Sequence, residues 1–395
     1  MPRQEGATTH LSRSTHVDVL RAIAALMVIG YHVNGLVGGQ GGSVLWLRDN
    51  TDSGVELFFV LSGYLIALPF LRALVCGSQV PDTVRYALRR AARILPGYWL
   101  ALVAATFVAI RIGALPPMRL LLPQVALLQG LIPDDPGGPL VVAWTLSIEA
   151  AFYVGVPVAT WLLLRRRRVW SIRSLAGLTC GVWAISEALA FGFAALAPGN
   201  PWSTVMLRGP GGFMCQFCPG ILVALLQIRC ERAGTRLVRT PQRAWMLIAG
   251  CAVGWLFVAA WSGQAGSELQ MVVRNQVCGG LFGLVLIGTL ALRAPERRVT
   301  RLFSRVGTVS YGMYLWHWLA FEAIVSTGLR VDLPLPGVVN WVLATGLLTV
   351  TTLPLAIASW RFVETRAITW ASDRGRLMRI TSDNVAALSP PVAAP

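Results

Sequence analysis

The first apolar stretch of the sequence carries two ionisable side chains that could do chemistry. Arg21 and His32 lie eleven positions apart, a spacing that returns to nearly the same face of an α-helix about 16 Å further along its axis. Asp18 falls on that face one turn before Arg21. Because ionisable groups within apolar helices usually line a cavity, we predict a polar stripe with Arg21 and His32 as catalytic residues. The alternative is a buried pair that only helps helices to pack.

Two glutamates occupy other apolar stretches, near the expected depth of His32 in the membrane. Glu56 lies in the segment GVELFFVLSGYLI at 54–66, whereas Glu149 lies in WTLSIEAAFY, with Tyr153 one turn later on the same helical face. A glutamate beside an imidazole orients the ring and raises its basicity. We therefore predict that Glu149 polarises His32 as a general base and that Glu56 and Tyr153 contact substrate. The alternative for such a glutamate is a structural hydrogen bond to another helix.

A second apolar stretch with a histidine, SYGMYLWH at 310–317, places His317 in mid-membrane with two tyrosines one turn apart. We predict that Tyr314 and His317 contact substrate, the alternative being an aromatic stripe that docks one helix on another.

A basic segment leads directly into an apolar helix. Arg90 and Arg93 precede Pro96 in the run RRAARILPGYW, and guanidinium groups there could grip phosphates in bidentate fashion, as a nucleotide-bearing donor requires. The alternative is ordinary anchoring of the helix end by positive charge.

The elements that hold these residues must be membrane helices. The chain has 395 residues, of which 55% are hydrophobic and only 13% charged, and its mean hydropathy is +0.61. Soluble domains have about 25% charged residues, and apolar runs near the roughly 20 residues that cross a bilayer recur along the whole chain. We predict an all-α bundle of about ten transmembrane helices, at 17–37, 54–75, 94–113, 141–164, 174–196, 211–228, 244–262, 273–292, 308–329 and 338–360.

The positive charge indicates topology and not nucleic-acid binding. The net charge is +16 and every basic residue is Arg, but the arginines cluster in short segments between apolar runs, which is typical of cytoplasmic loops. Both termini are therefore expected in the cytoplasm of a multi-pass cell-membrane protein. We expect a cytoplasmic segment at 1–16, a membrane domain at 17–370 and a disordered cytoplasmic tail at 371–395.

Composition and spacing also indicate the nature of one short apolar stretch and of one cysteine pair. The stretch 119–132 is apolar but too short and Pro-broken to span, so we expect it to be interfacial or re-entrant. Cys215 and Cys218 have ligand-like spacing, but the chain has only four His and no second cysteine pair with that spacing, so no metal site is expected.

Taken in order along the chain, these segments resemble the acyltransferase-3 family of integral membrane acyltransferases, which acylate bacterial surface glycans and natural-product sugars. The resemblance depends on Arg21-x10-His32, GVELFFVLSGYLI, Arg90-x-x-Arg93 with Pro96-Gly-Tyr-Trp, WTLSIEAAFY, SYGMYLWH, and Glu364 with Arg366. Trp318 and Thr365 stand where the family often has proline.

The resemblance implies a core of roughly ten helices, cytosolic acyl-CoA as co-substrate with no bound cofactor, and a His-Glu centre. By position, His32 would be the catalytic histidine, Arg21 its motif partner and Glu149 its acidic partner, while Arg90 and Arg93 would hold the donor. The expected partners are acyl-CoA, a carbohydrate or glycosylated acceptor, and membrane lipid.

The function predicted from the sequence is transfer of an acyl group from acyl-CoA to a hydroxyl of a sugar on a surface glycan, glycolipid or glycosylated natural product. The alternative is a transporter or flippase of a sugar-linked lipid or acylated metabolite, because polar stripes in helices also serve transport pathways.

Overall fold

The computed structural model of the protein describes residues 5–37, 45–111, 113, 117–132, 138–197, 200–263, 267–292, 298–331 and 333–374. These ranges contain fifteen α-helices: α1 (Glu5–His32), α2 (Leu45–Asp49), α3 (Gly54–Cys76), α4 (Thr83–Arg111), α5 (Met118–Val125), α6 (Trp144–Arg166), α7 (Ile172–Leu196), α8 (Pro201–Arg208), α9 (Pro210–Phe213), α10 (Cys218–Arg232), α11 (Pro241–Ser262), α12 (Glu268–Ala291), α13 (Arg298–Thr308), α14 (Ser310–Ser326) and α15 (Gly337–Ser359). Within them, the β contact is one isolated bridge between Val37 and Val331.

Nine helical segments of the described ranges are long and apolar enough to cross a bilayer, and each overlaps a predicted span: Thr15–Leu36, Trp46–Cys76, Thr83–Arg111, Val141–Arg166, Ile172–Leu196, Met214–Arg232, Pro241–Ser262, Glu268–Ala291 and Gly337–Arg374. The remaining prediction, 308–329, coincides with α14, which has 17 residues and is a little short of the usual length. The protein is an all-α, multi-pass membrane bundle, as predicted.

Helix α3 forms the centre of the bundle, where it packs against α1, α6, α10 and α12. Its crossing with α10 requires glycine, because a Cβ on Gly63 would overlap the carbonyl of Phe217 and one on Gly220 would overlap the carbonyl of Val60. Small residues of this kind let helix backbones touch in membranes. The close crossing fixes the depth of Ser62, which lies next to Gly63.

The arginine-rich helix α13 marks one end of the bundle. It carries Arg298, Arg301 and Arg305, and Gly307 packs directly on the carbonyl of Asp18 in the first half of α1. Arg21 therefore lies toward the same end of the bundle as this basic segment.

The connection between α4 and α6 folds back along α4. The hydroxyl of Tyr98 donates to the carbonyl of Gln124 at 2.6 Å, and the indole of Trp99 donates to the carbonyl of Val125 at 3.0 Å. Tyr98 precedes the end of α4 by thirteen residues, which is about 20 Å of helix. Of the two predictions for this segment, the re-entrant one agrees with this geometry.

The helical boundaries differ from the prediction at both ends of the chain. Helix α1 begins at Glu5, well before residue 17, and the last helix continues through a π-helical turn (Trp360–Glu364) to Arg374. The expectation of disorder is therefore wrong for 371–374, where the helix simply extends beyond its apolar part. Residues 1–4 and 375–395 lie outside the described residues.

Candidate active site

A polar pocket of about 80 Å³ lies where α1, α3, α4, α6 and α14 meet. Five of the predicted site residues and three others supply its polar lining: Arg21, Arg90, Arg93, Glu149, Tyr153, Ser62, Thr145 and Tyr311. Tyr314, also predicted, contributes the pocket wall on α14. Side chains that are 72 residues apart along the chain, such as Arg21 and Arg93, thus converge because their helices cross at one depth.

Glu149 is held in the pocket by two hydroxyl donors. Ser62 Oγ donates to Glu149 Oε1 at 3.0 Å, and Tyr153, one turn along α6, donates to the same oxygen. The spacing of four residues on a helix makes the second contact possible. Because both donors use one oxygen, the other carboxylate oxygen remains available to a ligand in the pocket.

The pocket arginines have carboxylates nearby but no hydrogen bond or ion pair with them in the part of the chain that is described. Arg90 lies over the rings of Tyr153 and Tyr86, with 5.3 and 5.8 Å from its guanidinium carbon to the ring centres, and Arg93 lies over Trp360 at 5.1 Å. No hydrogen bond or ion pair between described residues uses the guanidinium of Arg21, Arg90 or Arg93. Aromatic faces orient a guanidinium without consuming its N–H donors, so these groups can receive an anionic ligand.

His32 pairs with His317 across the contact between α1 and α14. His32 Nδ1 is 2.8 Å from the carbonyl oxygen of Val28 and 3.3 Å from His317 Nε2, while His317 Nδ1 is 3.2 Å from the carbonyl oxygen of Met313. The edge of the Trp318 ring system packs against His32, with the ring centres 5.7 Å apart. The two imidazoles therefore form one unit at the end of α1.

The hydrogen-bond partners assign the tautomers of two neutral rings. A carbonyl oxygen can only accept, so Nδ1 carries the proton in both His32 and His317. The Nε2 of His317 then accepts from the shared Nδ1–H of His32. His32 keeps the lone pair on Nε2, and no described residue hydrogen-bonds to that atom. A histidine in this state can take a proton from a nearby hydroxyl.

Tyr314 connects the histidine pair with the arginine pocket. Its ring lines the pocket and its centre is 5.9 Å from that of His317. The hydroxyl of Tyr314 donates to the carbonyl of Val142 and shares a hydrogen bond with Thr145 Oγ1 at 2.7 Å. The ring is thus fixed between the two groups of polar residues.

Comparison with known proteins identifies the family of this chain. No solved structure matches the chain, whereas residues 15–361 match the family of acyltransferase domains called Acyl_transf_3. The chain belongs to this acyltransferase family. It is therefore an acyltransferase of the kind that transfers groups other than amino-acyl groups, and the transporter alternative is not supported.

Curated relatives are similar over most of this family domain. The exopolysaccharide production protein ExoZ of Rhizobium meliloti is 25% identical over 84% of this chain and 92% of its own length. Nodulation protein 10 of Rhizobium leguminosarum is 24% identical over 83% of this chain and 87% of its own length. The peptidoglycan O-acetyltransferase OatA of Listeria monocytogenes is 23% identical over 91% of this chain, which spans only 56% of that protein.

The predicted contact between His32 and Glu149 is not present in this acyltransferase. The hydrogen bonds of His32 go to Val28 and His317, whereas those of Glu149 go to Ser62 and Tyr153. The prediction assumed that residues at one depth would touch. Instead, Tyr314 lies between the histidine pair and the pocket that contains Glu149.

Glu56 also lies outside the pocket. Its neighbours Val55 and Phe59 line the pocket, but Glu56 is buried where Asp52 and Arg274 are its closest charged groups. One residue along a helix rotates the side chain by about 100°, and this rotation turns Glu56 toward α12. Its predicted contact with substrate has no support in this arrangement.

The sequence analysis gave no site role to Ser62, Thr145 or Tyr311 of the pocket, nor to Glu364. The contact of Ser62 with Glu149 joins α3 to α6. Glu364 was noted through the family resemblance alone. It is fully buried at the end of the π-helical turn and accepts a hydrogen bond from Ser359 Oγ at 3.2 Å. Its side chain packs over Gly97, where an added Cβ would lie 3.5 Å from Glu364 Cγ. A π-helical turn of this kind is frequent at functional sites.

Proposed function

We propose that this protein transfers an acyl group from acyl-CoA to a hydroxyl of a sugar, on a surface glycan, a glycolipid or a glycosylated natural product. The observation that carries the proposal is the combination of three arginines whose N–H groups make no hydrogen bond to an anion among the described residues and a histidine with an unused Nε2 lone pair, on the two sides of Tyr314. The first set suits a phosphate-bearing thioester. The second suits a hydroxyl nucleophile.

In the proposed reaction, His32 Nε2 removes the proton from the acceptor hydroxyl as its oxygen attacks the thioester carbonyl carbon. The tetrahedral oxyanion then collapses, the carbon–sulfur bond breaks, and the imidazolium returns its proton to the departing CoA thiolate. The products are the O-acyl ester and free CoA. General-base help of this kind contributes about 10² to 10⁴ in rate.

A two-step variant uses the same residues. His32 Nε2 attacks the thioester carbonyl, the carbon–sulfur bond breaks, and CoA leaves as the thiolate, giving an Nε2-acyl imidazolium that keeps its Nδ1 proton. The acceptor hydroxyl then attacks the acyl carbon and the carbon–nitrogen bond breaks, so that the hydroxyl proton is released to neutralise the thiolate and His32 returns to its neutral form. Rapid-quench experiments with radiolabelled acetyl-CoA distinguish the routes, because only the variant gives protein-bound label and a burst of free thiol before the acceptor is added.

The test of the proposal is the variant His32→Ala. We expect normal membrane insertion and thermal unfolding but loss of acyl-CoA-dependent transfer, measured as free thiol released and as acylated glycans seen by mass spectrometry. His16→Ala is the matched control, since His16 lies earlier on α1 and does not line the pocket. Transfer by His32→Ala at a rate close to that of the unsubstituted protein would remove the general base from the mechanism.

We also infer that the basic end of the bundle faces the cytoplasm of the cell, with both termini on that side, because arginine-rich segments are retained there. In a background without the exposed cysteines Cys76 and Cys180, a membrane-impermeant thiol reagent applied to intact cells should label Leu333→Cys and not Val169→Cys. Both positions are exposed. The reverse pattern would invert the topology and the proposed route of the donor.

A further inference from the structure

A second, larger cavity of about 600 Å³ separates α4 from α6 on the lipid side of the polar pocket. One face of each helix lines it, and the residues recur at the three- and four-residue spacing of a helical face. Small side chains leave the gap unfilled, since Ala87 and Ala91 of α4 oppose Ala150 of α6. The lining is otherwise almost wholly apolar.

The two cavities adjoin. Arg90, Ile94 and Tyr153 line both of them, and the guanidinium of Arg90 over the Tyr153 ring lies at their boundary. The polar pocket is the smaller of the two, at about 80 Å³ against about 600 Å³. An acyl chain too long for the polar pocket would therefore extend past Arg90 into the second cavity.

The re-entrant segment closes one end of the large cavity. Leu127 lines it and is buried, and its backbone has a φ of 57°. A leucine in the left-handed region is costly and persists only where the surroundings impose it. The opposite rim is formed by Val154, Val158 and Trp161, which are exposed toward the position of lipid. The cavity is therefore bounded at one end and lined by apolar surface.

We propose that the cavity between α4 and α6 binds the acyl chain of the donor thioester, and that the enzyme accordingly prefers saturated acyl groups longer than acetyl. This inference rests on the proposed function for the identity of the donor. The chosen occupant is the acyl chain and not a bilayer lipid tail, because the cavity adjoins the polar pocket at Arg90, where a phosphate-bearing thioester would be held.

The expected consequence is a chain-length gradient. Burying one methylene is worth about 0.8 kcal/mol, which corresponds to roughly fourfold in kcat/KM. From acetyl-CoA to octanoyl-CoA, kcat/KM should rise until the cavity is filled. Ala91→Phe should lower the ratio of kcat/KM for octanoyl-CoA to that for acetyl-CoA by at least about tenfold. A smaller amount of folded protein lowers kcat/KM for both donors equally, so it does not change this ratio.

Ala159→Phe is the matched control. Ala159 is exposed on α6 and does not line the cavity, so its ratio should equal that of the unsubstituted protein. An unchanged ratio in Ala91→Phe, or a protein that shows no gain from acetyl to octanoyl, would overturn the inference.

A binding measurement separates this inference from the proposed reaction. Octanoyl-CoA with a photoreactive diazirine at the end of its chain should crosslink to residues 87–95 or 150–161, mapped by mass spectrometry, and excess octanoyl-CoA should prevent the crosslink. Crosslinks to these residues in a protein that acylates no sugar would support the acyl-chain site and contradict the proposal that the acceptor is a sugar. Transfer with crosslinks elsewhere, or crosslinks displaced by bilayer lipid and not by octanoyl-CoA, would reject the acyl site alone.

Discussion

Two buried groups of arginine and carboxylate lie in the same bundle, and they differ in what the arginine binds. In the first, Arg274 of α12 donates to Asp52 at 2.7 Å and also to Asn275 and Asn50. In the second, Arg21, Arg90 and Arg93 share a pocket with Glu149 but have no hydrogen-bonded anion among the described residues. The first group is closed by its own protein contacts, and the second can accept a ligand.

The comparison shows that the presence of charge at membrane depth does not by itself indicate a reactive site. Both groups are costly to bury and both contain a glutamate that the sequence analysis assigned to the substrate or to catalysis, Glu56 in one and Glu149 in the other. What differs is the number of N–H donors left over once the protein contacts are made. Substitutions should therefore affect stability in the first group and activity in the second.

The largest expected effect is that of Arg274→Gln on stability. The side chains of Arg274 and Asp52 are 12% and 30% accessible, so their ion pair is partly buried. Removing one partner of a fully buried pair costs about 3 to 5 kcal/mol, and the cost here should approach the lower end of that range because Asp52 and the buried Glu56 would both lose their cation. Thermal unfolding of the purified protein in detergent should shift to markedly lower temperature. Activity per folded molecule, measured below that transition, should stay near that of the unsubstituted protein.

Two further variants control for this interpretation. Arg72→Gln removes the exposed ion pair with Glu231, whose side chains are 38% and 37% accessible, and should cost less than about 1 kcal/mol. Combining Asp52→Asn with Arg274→Gln should restore part of the lost stability. A double variant no more stable than Arg274→Gln alone would show that the Arg274–Asp52 charge pair is not the source of the effect.

The opposite pattern is expected of Arg93→Gln. The substitution removes a donor for the proposed phosphate-bearing ligand, and hydrogen bonds to charged groups are worth about 1.5 to 3 kcal/mol, which is roughly 10- to 100-fold in the KM for acyl-CoA. Stability should fall less than in Arg274→Gln, since no protein anion loses a hydrogen-bonded partner, although the buried Glu364 loses a nearby cation. Arg89→Gln is the matched control on α4, because Arg89 is exposed and lines neither cavity. An equal rise in the KM for acyl-CoA in Arg93→Gln and Arg89→Gln would mean that the positive charge of α4 acts on the donor only at long range.

The sequence predicted which helices carry the polar residues of the pocket but not which of those residues meet. Hydropathy and the 3.6-residue period placed Arg21, Arg93 and Glu149 on separate helices with polar faces, and the structure brings all three into one pocket. The period gives the face of a residue on its own helix, whereas the rotation of one helix against another depends on packing. For that reason Glu56 was placed on the wrong face of the bundle.

The histidine pair illustrates the same limit. His32 and His317 are 285 residues apart, and each was predicted separately to contact substrate or catalyse transfer. Their pairing depends on the contact between α1 and α14, for which the sequence contains no local signal. The carbonyl of Val28 assigns the tautomer that leaves Nε2 of His32 able to act as base, whereas His317, from a distant helix, adds a second contact that helps to orient the ring.

The smallest expected effect is that of His317→Leu, and it tests whether His317 is a positioning residue. Its Nε2 accepts the shared Nδ1–H of His32, but the carbonyl of Val28 holds the same proton at the shorter distance of 2.8 Å. Losing His317 should therefore loosen the ring without changing its tautomer, lowering kcat by about tenfold and leaving the KM for acyl-CoA unchanged. His317→Gln, which supplies a carbonyl acceptor, should recover most of that loss. If both variants instead raise the KM for the acceptor and spare kcat, His317 contacts the substrate, and the comparison between the closed and open groups must include a second ligand-binding residue on α14.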